Sequence, residues 1–260
     1  ASCLVGSEMC IRDRVAGAPC EYEGTFYGLH GNLSHIPAEE VSAVIEENGD
    51  SPCAVMKGKV RDAVIFGDKM CLEREIRCSY KERKITLKDR VTNEGFKRVR
   101  QMILYHCNIG YPVLSPDSEI FIPALETKAR NVHAQEGIDS WMKVQEADAD
   151  YEEMCYYHKL KPDEKNHSVA AVYNPDLDLG IAIEIDLSTL DHFVQWKMMG
   201  AGDYVMGLEP SNSTIDGIDD AVKNGSMKYL EPGETREYTL TFHILKGRKE
   251  FEELKKRTEK

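Results

Sequence analysis

The chain has 260 residues, of which 42% are hydrophobic and 30% charged, and its 33 Lys and Arg against 45 Asp and Glu give a formal charge of −12. That composition supplies enough apolar mass for a folded core, in one large all-β domain or two small ones, and excludes bulk disorder. The negative field repels phosphate backbones and anionic lipid surfaces, which argues against nucleic-acid and membrane partners, and no run of 18 or more apolar residues suggests a membrane-spanning helix.

In chain order, residues 1–14, ASCLVGSEMCIRDR, have neither the basic and apolar regions of a secretory signal nor any periodicity. Leu4 to Asp13 resembles the translation of a transposase sequencing adapter, so residues 1–14 are expected to be non-native and residues 15–260 to form a single domain. Beyond them stand Cys20, Cys53, Cys71, Cys78, Cys107 and Cys155, without a CxxC pair or a dense framework, which reads as reduced thiols in a cytoplasmic protein. Four Asn-x-Ser/Thr triplets, at Asn32, Asn166, Asn212 and Asn224, would matter only in a secretory setting.

The segment GLHGNLSHIPA puts His30 between Gly28 and Gly31, where the backbone can approach a ligand closely; a plain turn with an exposed histidine is the alternative. Residues 37–47 have helical spacing, with Val41, Val44 and Ile45 on one face. Strands are expected at 53–60, 70–79, 83–91 and 99–107. His106 and Asn108, in LYHCNIGYPVL, continue the face of Met102 and Leu104. A histidine at a strand end can act as a general acid near neutral pH, although taken alone such a residue is more often a hydrogen-bonded core histidine. The acidic run before DYEEMCYYHKL lacks the loop spacing and glycine of a calcium hand, and that strand, 154–160, offers Glu153, Tyr157 and His158.

Further strands are expected at 168–173, 193–199 and 203–209. The cleanest alternation is Leu179, Ile181, Ile183, Ile185 and Leu187, followed near the C-terminus by Tyr238, Leu240, Phe242 and Ile244. The turn at Gly200-Ala201-Gly202 brings the expected strands 193–199 and 203–209 side by side as a hairpin. Gln195 and Lys197 share a face of one, and Val205, Gly207 and Glu209 a face of the other. A carboxylate before Pro210 could serve as a base or lie idle on the surface. A tail helix over 248–260 has Phe251 and Leu254 on one face. The absence of βαβ alternation and of a phosphate loop leaves an all-β class, with two large antiparallel sheets packed face to face.

Read in order, "GLHGNLSHIPA", "LKDRVTNEGF" with "YHCNIGYPVL", "YEEMCYYHKL" and "QWKMMGAGDYVMGLEPSN" resemble the successive motifs of an aldose 1-epimerase-like family, a domain of unknown function of the galactose-mutarotase superfamily, over about residues 16–246. The resemblance implies a galactose-mutarotase-like β-supersandwich, N-terminally truncated, because it begins inside the family's pattern. Missing upstream strands would expose a sheet edge and a core face. It implies a sugar cleft, with Glu209 as the base and His106 as the acid of anomer interconversion, expected on opposite sides of the hemiacetal, His30 as a substrate or acid partner, and Asn108, Glu153, His158, Gln195 and Lys197 as substrate-binding groups. Asn32 departs from the arginine expected after "LHG". The implied partner is a small sugar, with neither cofactor nor metal. Two alternatives stay open: a carbohydrate-binding protein without turnover, and a metal-dependent isomerase using His30, His106 and His158, for which close HxH or HxxxE spacing is lacking.

Overall fold

The computed structural model describes residues 16–31, 33–47 and 51–259. Residues 1–14 and Asn32, on which two of the expectations above rest, lie outside them.

Among the described residues the first elements form a hairpin, β1 (Cys20–Tyr22) and β2 (Thr25–Tyr27), followed by β3 (Glu39–Glu46), β4 (Cys53–Ala63), β5 (Lys69–Ser79) and β6 (Lys84–Asn93). Next come β7 (Val99–Gln101), β8 (Cys107–Gly110), β9 (Glu119–Phe121) and β10 (Ala124–Ala129), then the short helix α1 (Val132–Glu136). The remaining strands are β11 (Met154–Leu160), β12 (His167–Asn174), β13 (Leu179–Asp186), β14 (His192–Met199), β15 (Tyr204–Ser211), β16 (Lys228–Leu230) and β17 (Thr235–Lys246). Helix α2 (Ile218–Lys223) precedes β16, and α3 (Arg248–Glu259) closes the chain.

Two antiparallel sheets face each other. The larger has eight strands in the order β3-β4-β5-β6-β17-β13-β12-β9, the smaller five in the order β10-β11-β14-β15-β8. Alternation decides which side chains fill the space between them: Leu87 and Val91 from β6, Ile183 and Ile185 from β13, Leu240 from β17, Phe193 and Met199 from β14, and Met206 and Leu208 from β15 form one buried core. The other face of the large sheet is covered by α3, whose Phe251 stacks on Tyr173 at 5.0 Å and whose Leu254 joins Ala171, Ala182 and Leu245. Both late alternating strands and the tail helix thus form as their sequences predict.

Residues 37–47 do not form a helix. Glu39–Glu46 is the edge strand β3, paired with β4 through a register shift between Glu39 and Ser42. Its β-branched Val41, Val44 and Ile45 are good strand formers, and pairing with β4 satisfies a backbone that an isolated eight-residue helix could not hold together in water. The expected strand 99–107 is divided as well: ladder pairing stops after Gln101 and resumes at Cys107, and Leu104 keeps only an isolated bridge to Ser211. Side chains take over in the gap, where Ile103 N–H donates to Asn212 Oδ1 at 2.8 Å and Ser211 Oγ–H to the Ile103 carbonyl at 2.9 Å.

Candidate active site

The outer face of the five-stranded sheet holds the residues of interest. Along 102–108 the even positions face outward. Met102 and Leu104 enter a small second core with Val194, Ile215, Ile218 and Met227. At His106 and Asn108 that face turns polar. One residue earlier, the buried Tyr105 points the other way and donates its hydroxyl proton to Asp89 (2.8 Å), which Arg74 holds with two bonds of 2.8 and 2.7 Å. This anchor in the core, with the Ile103 bonds, fixes the backbone from which His106 projects.

Register brings Glu209 to the same place. On β15 Leu208 enters the core and Glu209 faces outward, opposite Val194 of β14. Its carboxylate folds back over Gly207, where an added Cβ would lie 2.2 Å from Oε1; only glycine leaves room for that rotamer. Glu209 is 2% exposed and its Oε1 lies 3.0 Å from His106 Nε2. The other imidazole nitrogen, Nδ1, is 2.6 Å from Asn108 Oδ1, which accepts its proton. The carboxylate and the imidazole therefore touch directly, and do not face each other across a gap as the expected two-sided arrangement would have them.

His30 completes the group from a loop after β2. Its φ is 61°, and the loop is pinned reciprocally to Gly17: His30 N–H donates to the Gly17 carbonyl at 3.0 Å, and Gly17 N–H donates to His30 Nδ1 at 3.1 Å. Gly17 has φ 89° and a Cβ there would lie 1.8 Å from the Ile215 carbonyl oxygen, so glycine is required. The His30 ring meets His106 edge-on, centroids 5.8 Å apart.

Glu153 is exposed, and its Oε2 accepts the indole N–H of Trp196 at 2.7 Å. Trp196 in turn lies 5.2 Å from the His106 ring at 73°. Trp196, which its sequence position between Gln195 and Lys197 does not mark out, thus belongs to the site. On the same face, two strands from Glu209, the Arg130 guanidinium donates to Asp216 Oδ1 at 2.7 Å and Tyr157 donates its hydroxyl proton to the same carboxylate. Burial and Asp216 raise the Tyr157 hydroxyl well above its ordinary range, keeping it a donor.

Three of the expected binding groups do not meet this cluster. His158, Gln195 and Lys197 lie on the core side of the same sheet, because Gln195 pairs with Leu208 and Lys197 with Met206, both inward-facing. There they hold the segment after α1. Gln195 Nε2 donates to the Trp141 carbonyl at 3.1 Å, Lys197 Nζ to the carbonyls of Lys143 (2.8 Å) and Ser140 (3.4 Å), and His158 sits between Thr127 Oγ1 (2.9 Å) and Gln195 Oε1 (3.3 Å) with the Trp141 ring 4.6 Å away. Burial pushes His158 down to about 4 and Lys197 down to about 8. The three histidines of the metal-isomerase alternative are divided accordingly, His30 and His106 outside and His158 within.

The chemistry available on the outer face is a carboxylate and an imidazole in proton-transfer contact, flanked by a second imidazole, an indole and an Arg–Asp–Tyr cluster. No curated protein matches the sequence. The family model described as a domain of unknown function (DUF4432) matches residues 14–244. Among solved structures, a candidate aldose 1-epimerase from Klebsiella pneumoniae is similar at 25% identity and a TM-score of 0.91, over 96% of this chain and 65% of that one; the chain thus spans under two thirds of that relative's length. A galactose mutarotase-like protein from Clostridium acetobutylicum (12% identity, TM-score 0.64, 90% of this chain and 78% of that one) and a galactose 1-epimerase from Lactobacillus acidophilus (9%, 0.60, 92% and 79%) share the fold. The architecture is galactose-mutarotase-like, as expected from the sequence.

Proposed function

We propose that this chain, which belongs to the DUF4432 family, binds an aldose on the outer face of its five-stranded sheet and interconverts the sugar's anomers. The observation that carries this reading is the 3.0 Å contact between His106 Nε2 and Glu209 Oε1. The two oxygens of a cyclic hemiacetal share one carbon, so an acid and a base side by side reach both. Glu209 takes the proton of the anomeric hydroxyl while His106 gives one to the ring oxygen. The C1–O5 bond breaks and a carbonyl forms at C1. After rotation about C1–C2 the ring oxygen attacks the other carbonyl face, His106 recovers its proton and Glu209 returns the first. Protons balance within the pair, so no cofactor is needed. Asn108 orients His106, and His30 offers its remaining nitrogen to a sugar oxygen. The similarity to the Klebsiella protein supports the assignment, and the free thiols among the described residues support a cytoplasmic setting.

Replacing Glu209 by Gln keeps the shape and removes the base. Anomer exchange of D-galactose and D-glucose, followed by polarimetry or NMR, is expected to slow by about 10²-fold or more, with sugar binding by saturation transfer retained. An unchanged rate in Glu209→Gln would sink the mechanism. Binding without catalysed exchange in the unaltered protein would instead assign a carbohydrate-binding role.

A further inference from the structure

We propose that Trp196 is the platform on which a pyranose ring lies in this cleft, and that Glu153 is the positioning residue that fixes the platform. The ligand's identity as a sugar rests on the function proposed above; the two roles rest on geometry. Trp196 occupies a cross-strand row with Cys155 on β11, Gly207 on β15 and Asn108 on β8. Of these neighbours Gly207 has no side chain, and the space over it holds the Glu209 carboxylate. The indole therefore stands next to the base, and the acid's ring meets it at 5.2 Å. It is only partly buried. An aromatic face is electron-rich, and the face of a pyranose presents C–H groups of opposite polarity. A ring laid on the indole has its hemiacetal edge beside Glu209 and His106.

An indole attached through an sp³–sp² bond has a broad, two-fold torsional preference and does not by itself hold one orientation. Here the N–H donates to Glu153 Oε2 at 2.7 Å, a charge-assisted bond that selects one. The exposed Glu153 is thereby engaged as the latch of the platform, and its effect on a sugar passes through Trp196.

The chain contains two tryptophans, Trp141 and Trp196, and Trp141 packs on His158 on the opposite side of the sheet. The variant Trp141→Phe leaves Trp196 as the only indole emitter in the full chain. Titration with D-galactose and D-glucose should shift or quench its emission saturably. Trp196→Ala should weaken sugar binding, measured by calorimetry, about tenfold, the size of one aromatic contact. Glu153→Ala should raise the KM for anomer exchange several-fold with less effect on kcat, and Glu153→Gln, which keeps an acceptor for the indole N–H, should restore it. An emission response without catalysed anomer exchange would uphold the platform while the mutarotase assignment failed. Catalysed exchange with Trp196 emission unmoved at saturating sugar, or unchanged binding by a folded Trp196→Ala, would overturn the platform and leave the mutarotase assignment standing.

Discussion

Lys197 offers the sharpest test of how the two sides of the five-stranded sheet divide their work. Its side chain is fully buried and donates to the carbonyls of Lys143 and Ser140. Burial lowers its proton affinity from 10.5 to about 8. At about 1.4 kcal/mol per pH unit, the charged form costs the folded state about 3 kcal/mol at neutral pH. The folded amine sheds its proton first, so between about pH 8 and 10.5 the unfolded chain binds more protons and stability rises with pH. Lys197→Met removes the titration. It also removes both hydrogen bonds, an offset of about 1–3 kcal/mol that does not vary with pH. Guanidinium unfolding of both proteins at about pH 7 and about pH 9.5 should therefore show the difference moving by about 2 kcal/mol in favour of the lysine protein, other alkaline effects cancelling between the two. Sugar affinity should be equal in both at neutral pH. Parallel stability profiles would refute the buried-amine reasoning, and a large loss of sugar affinity in a folded variant would return Lys197 to the binding site.

His158 has a folded value of about 4 against an ordinary 6.5; stability held above pH 6.5 should be lost as the pH falls toward about 4, by up to about 3 kcal/mol, and thermal melts of His158→Gln should lack that dependence. Gly207→Ala would put a Cβ 2.2 Å from Glu209 Oε1, so anomer exchange should fall about 10²-fold from displacement of the carboxylate while the circular dichroism spectrum stays the same; full activity would contradict the folded-back rotamer. On the edge strand, where Val44 is 52% and Ile45 65% exposed, Val44→Lys or Ile45→Lys should cost under about 0.5 kcal/mol and reduce self-association in light scattering, since a charged edge resists pairing with a second chain.

The strands that could be read from sequence are those whose two faces meet different surroundings. Ile183 and Ile185 meet the core, Ala182 meets α3 and Glu184 the rim, so alternation is written into β13. β3 is exposed along nearly its whole length, burial imposed no period on it, and the spacing of Val41, Val44 and Ile45 imitated a helix. The opposite condition hid the break in 99–107. Met102, Ile103, Leu104 and Tyr105 are each fully buried, a continuous apolar run that says nothing about where ladder pairing yields to the side chains of Ser211 and Asn212. β9 spans three residues, Glu119–Phe121, too few to carry a period.

The site shows the same boundary between what one strand records and what a pair of strands decides. His106 and Asn108 share a face, as do Gln195 and Lys197, and as do Gly207 and Glu209. Each statement holds within its strand, because side chains alternate with period two. Which of two faces meets a neighbour's is set by register, and a slip of one residue exchanges them all. Val194 pairs with Glu209, so the outward set on β14 is Val194 and Trp196. Gln195 and Lys197 fall to the core side, where their polar groups are taken up by the backbone carbonyls of Trp141, Ser140 and Lys143. His106 and Glu209 could be singled out from sequence because the two motifs end their apolar runs at polar residues; Trp196 could not, since an aromatic in a strand is ordinary until the partner's glycine and carboxylate are seen beside it.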